Sequence, residues 1–452
     1  MAINPEEMKM RRAQAQQARE QRLKAQKKLL IRLGIAAAVL LIVGAVILVI
    51  VLTSGQKDPP QDPEQPGQAQ QTDSEGQTDP TDPDPSEADP SEENPSGEDP
   101  SEEDPEENTT VIHLAAAGDL NVNDVTVEAG GVAYLYQNAF LDVAHILADA
   151  DVSVVNFEGG LYGNPFGSET ASAPQSMMDA LADAGVDMVQ LANSYSINNG
   201  VSGLRNTING VQMAGMEPLG VYADNAAYAK SKGFTMRNVN GVKVAFVAFT
   251  KGMDGMALPV GSESCVNVLY TDYSSTYQKV DTAGITRVMD AVAAARPDLT
   301  VVMVHWGSEF NDTVSSSQKK ILSLLQSEGA DAIIGTHPHY VQEMKLDPET
   351  GKFIAYSLGD FFGDASRSGS EYSVILDLEI TKNNKTGETK ITDFSYTPIF
   401  TVIEKGQPAR VVRIHEAMQA YDNLFLERIN PETYEAMAYA LTRIEARIHP
   451  EG

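Results

Sequence analysis

The chain of 452 residues has a single cysteine, Cys265. No disulfide can form within it, so any exported folded part must be held by burial of apolar surface, which argues against a small disulfide-stapled module. Residues 58–108 contain no lysine or arginine, and the whole chain sets 33 basic residues against 63 acidic ones, a formal charge of −30. That balance repels nucleic acid and excludes it as a partner. No Gly-x-Ser-x-Gly sequence supports serine-hydrolase chemistry. There is no internal repeat, and only one apolar run long enough to span a bilayer, which excludes a transporter.

That run is Leu33 to Leu52, twenty residues without a charge. A helix of this length reaches roughly 30 Å, the thickness of the bilayer's hydrocarbon core. Residues 1–32 hold nine bases (Lys9, Arg11, Arg12, Arg19, Arg22, Lys24, Lys27, Lys28 and Arg32) against Glu6, Glu7 and Glu20. Positive charge stays on the cytoplasmic side, so the sequence predicts a basic cytoplasmic segment at 1–32 and a single-pass anchor at 33–52 in the cell membrane. The remainder is expected outside the cell. The apolar run is too long for a cleaved signal peptide, and the bases suit contact with anionic membrane lipids.

Residues 53–108 read as a disordered acidic linker. Between Asp58 and Asn108 there are 19 acidic residues and 11 prolines, with almost nothing apolar. Such chain cannot bury enough surface to offset the entropy of ordering it, and its charges repel one another. It is expected to act as an extended spacer. Residues 109–452 still carry a net charge of −18, so a polyanionic substrate needs a metal or a local basic patch, for which Arg205, Lys243 and Lys251 are candidates.

From residue 109 onward short apolar runs alternate with helical segments, which predicts one α/β domain with mixed sheets. Strands are expected at Val111–Ala117, Val152–Val155, Val186–Ala192, Lys243–Phe249, Thr300–Val304 and Ala330–Ile334, and residues 261–284 read as a long polar insertion. Five apolar runs end in a residue suited to metal or acid chemistry: Asp119, Glu158, Asn193, His305, and the pair His337 and His339. Side chains beyond the carboxyl ends of strands in an open sheet converge in one crevice, so these are expected to share a site. Only seven histidines occur in the chain, and three stand at such ends. With Pro338 between them, His337 and His339 are expected to point the same way from extended backbone.

The motifs resemble those of the CapA family, bacterial proteins of poly-gamma-glutamate capsule synthesis with a metallophosphatase-like domain. Gly118-Asp119, Asn156-Phe157-Glu158, Asn193-Ser194-Tyr195, His305-Trp306-Gly307, Gly335-Thr336-His337-Pro338-His339 and Tyr356-Ser357-Leu358-Gly359-Asp360-Phe361 carry the likeness. The resemblance implies a layered metallophosphatase-like sandwich. It also implies one ion on Asp119, His337 and His339, with Glu158, Asn193 and His305 serving a second or orienting substrate. The oxygen and nitrogen donors suit Mn, Fe or Zn. Tyr195, Glu158 and His305 are the catalytic candidates. The family pattern has histidine in place of Tyr195, aspartate in place of Asn198 and asparagine in place of Asp360. Tyrosine, with a pKa near 10, is a weaker acid than histidine, so catalysis stays open. The implied partners are an anionic surface polymer, or a phosphorylated or amide substrate, and other capsule-synthesis membrane proteins. Three functions follow: capsule polymer synthesis or handling, a metal-dependent phosphoesterase acting outside the cell, or non-catalytic polymer binding.

Overall fold

The computed structural model describes residues 108–425 and 429–450. The expected basic segment at 1–32, the anchor at 33–52 and all of the linker at 53–108 except Asn108 lie outside them. Among the described residues no helix is long and apolar enough to cross a membrane.

In chain order the strands are β1 (Thr109–Asn121), β2 (Val152–Glu158), β3 (Met188–Gln190), β4 (Glu217–Leu219), β5 (Thr235–Val239), β6 (Val242–Thr250) and β7 (Leu299–His305). They continue with β8 (Ala332–Thr336), β9 (Met344–Asp347), β10 (Lys352–Ala355), β11 (Tyr372–Asn383), β12 (Thr389–Val402) and β13 (Arg410–Arg413). Two sheets result, one in the order β13-β12-β11-β1-β2-β3-β4 and the other β5-β6-β7-β8-β10-β9. Both are mixed. The first has a parallel half, β1 to β4, extended by antiparallel β11, β12 and β13. The second has parallel β6, β7, β8 and β10, with antiparallel β5 and β9 at its edges.

The strand sequences explain why the sheets pack as they do. β6 and β7 are rich in valine, β6 in phenylalanine as well, and are buried along nearly their whole length. Successive side chains alternate faces. Val244, Phe246 and Ala248 therefore join the core shared with the first sheet, while Ala245, Val247 and Phe249 join a separate core on the opposite face. That second core is closed by Ile285, Val288 and Val292 of the helix Thr282–Ala295, and by Ile321 and Leu325 of the helix Ser316–Ser327. The first sheet is covered by helices Ala144–Asp149, Gly200–Met213, Ile414–Asp422 and Pro431–Ile448. The expected α/β class and its layering are what the chain adopts.

Two sequence expectations need correction. Residues 261–284 are not a polar excursion, because Cys265, Val266, Leu269 and Tyr270 are buried and the helix Thr282–Ala295 begins within the range. The stretch is tied down by backbone bonds such as Leu269 N–H to Thr250 O at 2.8 Å. The strand expected at Val186–Ala192 shortens at both ends to β3, Met188–Gln190.

Candidate metal centre

Both parallel halves deliver their carboxyl ends to one edge of the sandwich. Asp119, Glu158 and Asn193 come from β1, β2 and the turn after β3. His305, His337 and His339 come from β7 and the turn after β8. The site therefore lies between two sheets, and the crevice of one open sheet is not what assembles it.

A carboxamide binds the first group together. Asn156, two residues before Glu158 and on the same strand face, donates from Nδ2 to Asp119 Oδ1 at 2.7 Å and to Glu158 Oε1 at 3.1 Å. Its Oδ1 accepts from Asn193 Nδ2 at 3.1 Å, and Asn193 Nδ2 also reaches Phe157 O at 2.7 Å. Asn193 Oδ1 accepts the Tyr195 N–H at 3.0 Å. Asn193 thus braces the loop that carries Tyr195.

The imidazoles differ from one another. His305 is wholly buried, and its Nε2 accepts the Ser194 N–H at 3.3 Å. Its Nδ1 lies 3.2 Å from Thr336 Oγ1 and 3.3 Å from Glu158 Oε1. Burial, then Lys251, holds its pKa well below the ordinary value, so the ring is neutral. His339 Nδ1 lies 2.7 Å from Asp360 Oδ1 and 3.6 Å from Asp119 Oδ2. Burial alone would lower its pKa, but Asp360, Glu158 and Asp119 outweigh that and drive it well above the usual range.

His337 is different again. Its main-chain N–H donates to Asp119 Oδ2 at 2.9 Å, yet neither ring nitrogen has a hydrogen-bond partner although the residue is 2% exposed. Leaving a buried polar atom unpaired costs about 1–3 kcal/mol. Burial, then His305, holds this ring neutral as well. The two histidines do not sit on extended backbone as expected. His337 has φ 93° and His339 φ 59°, both left-handed, so a strained turn and not strand alternation brings the rings to 6.1 Å between centroids. Such positions cost on the order of 1–3 kcal/mol each.

Three overlapping sets have ligand atoms within 4.8 Å of one another: Glu158, His305 and His337; Asp119, His339 and Asp360; and Glu309, His337 and His339. Orphaned neutral imidazole nitrogens beside buried carboxylates are a donor set that fits a divalent ion. The sets regroup the residues, placing His337 with Glu158 and His305, and Asp119 with Asp360. Sequence reasoning assigned no role to Asn156, Asp360 or Glu309. Asn156 could have been found from its spacing to Glu158, and Asp360 from the carboxylate it adds after Gly359.

Tyr195 is half-buried at the rim, and burial followed by Glu158 pushes its phenol up to about 12. Asn198 is exposed, donating to Thr170 O at 3.1 Å. Of the basic candidates, Lys251 faces the site: it follows β6, its Nζ donates to Gly307 O at 3.0 Å, and Glu309 and Glu158 lie close enough to affect its pKa. Lys243 stands at the opposite end of β6, and Arg205 bonds Ala223 O at 2.7 Å away from the cluster.

An α/β sandwich with a buried carboxylate–imidazole cluster at the shared strand ends is the class of protein this structure defines. The family model described as bacterial capsule synthesis protein PGA_cap matches residues 113–365, more than half of the chain. The chain belongs to this family of CapA-like proteins. It is 27% identical over 253 residues to the capsule biosynthesis protein CapA of Bacillus anthracis, covering 56% of each chain. It is 26% identical over 215 residues to the PGA biosynthesis protein CapA of Bacillus subtilis, covering 47% of this chain and 51% of that one. The chain spans about half the length of the curated relatives it matches. A solved structure described as a novel phosphatase from Mycoplasma pneumoniae overlays with a TM-score of 0.41 at 13% identity, over 65% of this chain and 94% of that one. That likeness is too distant to assign chemistry.

Proposed function

We propose that this is a membrane-anchored surface protein of poly-gamma-glutamate-type capsule synthesis, and that its folded domain engages an anionic polymer, or a phosphorylated or amide substrate, through a divalent metal. The family membership supports the biological role. The basic segment, apolar run and acidic linker support placement outside the cell. One observation carries the metal: His337 keeps both ring nitrogens buried and unpartnered beside Glu158 and His305.

Asp119, Glu158, His305, His337, His339 and Asp360 would hold the metal, with Glu309 at the mouth. When bound, such an ion supplies Lewis acidity and a positive field that the acidic domain otherwise lacks. The chain's own groups do the rest. Asn156 and Asn193 fix the carboxylates and the Tyr195 loop. Lys251 adds a cation at the wall that an anionic group would meet. Tyr195 keeps its proton at neutral pH and would offer it as a hydrogen bond to a bound anionic group.

The phenol pushed to about 12 also favours a second reading, in which the site binds polymer without turning it over. A proton donor that weak is poorly matched to general acid catalysis near neutral pH. Metal content of the purified full-length protein, compared with His337→Ala, tests the shared core of both. The wild type should hold divalent metal and retain poly-gamma-glutamate only with it, and the variant should lose both. A metal-free wild type whose polymer retention is unchanged by His337→Ala overturns the proposal. Turnover of polymer or of a phosphoester by the loaded wild type then separates the two readings.

A further inference from the structure

The two loops that complete the second sheet's side of the centre hold three non-glycine residues with left-handed backbone: Phe310 at φ 52°, His337 at 93° and His339 at 59°. Backbone of this kind persists only where its surroundings over-determine it. Some of the constraint is mutual. Phe310 N–H donates to Pro338 O at 2.9 Å, Gln342 Nε2 donates to Asn311 O at 2.8 Å, and the Phe310 ring stacks on His339 with centroids 5.0 Å apart. The remainder comes from the far end of the chain, on the helix Pro431–Ile448, which lies beyond the family match at 113–365.

Arg447 sits in the last turn of that helix. Its guanidinium carbon lies 4.7 Å from the Tyr340 ring and 5.3 Å from the Tyr372 ring. Its Nη2 is 3.3 Å from Asp312, which Arg443 also reaches at 3.4 Å. The side chain is only 9% exposed, and its Nε and Nη1 have no hydrogen-bond partner. Two aromatic faces and one carboxylate therefore hold this charge, an arrangement in which a planar cation is at its strongest. Tyr340 immediately follows His339, and its hydroxyl donates to Ser368 O at 2.8 Å. Asp312 lies three residues past Glu309. One arginine thus grips both loops from behind the centre.

We propose that Arg447 is a positioning residue of the metal centre, holding the Glu309–Asp312 and His337–Tyr340 loops in register so that Glu309, His337 and His339 meet one ion. The inference rests on the metal reading given above. It makes the C-terminal helix part of the functional unit, although the helix contributes no ligand.

Calorimetric titration of Mn²⁺ and Zn²⁺ into metal-stripped full-length protein tests it, with thermal melts of each variant alongside. Arg447→Ala should weaken metal binding about tenfold or more, the usual size of a lost supporting contact. Arg447→Lys keeps the charge but loses the planar fork, and should fall between it and the wild type. Asp312→Asn cuts the same clamp from the loop side at a partly exposed position, which covers the case where Arg447→Ala does not fold. Variants that melt earlier but bind metal as tightly as the wild type overturn the positioning role while leaving the metal reading intact. A wild type that takes up neither ion overturns the metal reading, and the clamp with it.

Discussion

The Asp119 carboxyl lies where water does not reach it. Burial is the largest influence on it, His339 opposes, Asp360 adds, and the result is a pKa pushed up to about 6. Glu158 is driven well above its ordinary value by burial and then by Asp119. The folded pKa of Asp119 exceeds its unfolded value of 3.8, so its contribution to stability is complete below that value and is lost as pH rises through about 6. A metal competes for the same lone pairs, which reverses the trend when it is bound. Metal-stripped wild type should therefore lose melting temperature relative to Asp119→Asn as pH rises from about 4 to about 7, a comparison in which the opposite pull of the neutral His305 and His337 cancels. Metal affinity should climb over the same window by at least about tenfold as Asp119 releases its proton, and go on climbing at higher pH as His339 does. Melts in chelator and titrations at the two ends of the window read both trends. An affinity independent of pH would show that these carboxyls are not where the metal sits.

At the scale of elements, the centre depends on how closely β1 approaches the chain after β10. The pairing of β1 with β2 shifts register between Ala117 and Asp119, which turns Asp119 toward Asn156. The neighbouring loop is sewn to it, with Asp119 N–H donating to Gly359 O at 3.0 Å and Phe362 N–H to Asp119 O at 3.1 Å. This closeness is why residue 118 is glycine, for a Cβ there would lie 1.8 Å from Gly359 O. Gly118→Ala must push the two segments apart, separating Asp119 from Asp360. Overpacking of this kind costs about 1–3 kcal/mol. Urea unfolding should show a loss of that size, together with weakened metal binding. A variant as stable and as tightly metal-bound as the wild type would mean the contact is slack.

For the whole molecule, the proposed placement outside the cell makes the sandwich reachable from the medium. The proposed arrangement puts some fifty acidic, proline-rich residues between the bilayer and the first strand. A stretch of that composition is expected to be open to proteases. Protease added to intact cells should release the folded domain in one piece, with a new N-terminus between residues 58 and 108, and leave the basic segment with the cell. Recovery of uncut protein from intact cells, with cutting only after lysis, would place the domain on the cytoplasmic side.

Several of these features were legible in the sequence because they are local. Apolar runs with helical segments between them announced the α/β class, and β6, β7 and β8 fell within a residue or two of their expected ends. Asp119, Glu158, His305 and His337 announced themselves by closing such runs. Pairings over long separations were not legible. Asp360 and His339 meet because β10 lies beside β8 in the same sheet, and Arg447 reaches Tyr340 only because the last helix folds back across the first sheet. The left-handed turn at His337 was hidden as well, since proline after it argued for extended chain and only the surrounding packing overrides that preference. The sequence by itself therefore determined which residues could bind metal and which segments would be buried. The tertiary structure decided how they group, because two sheets had to close on one another before donors far apart in the chain could share an edge.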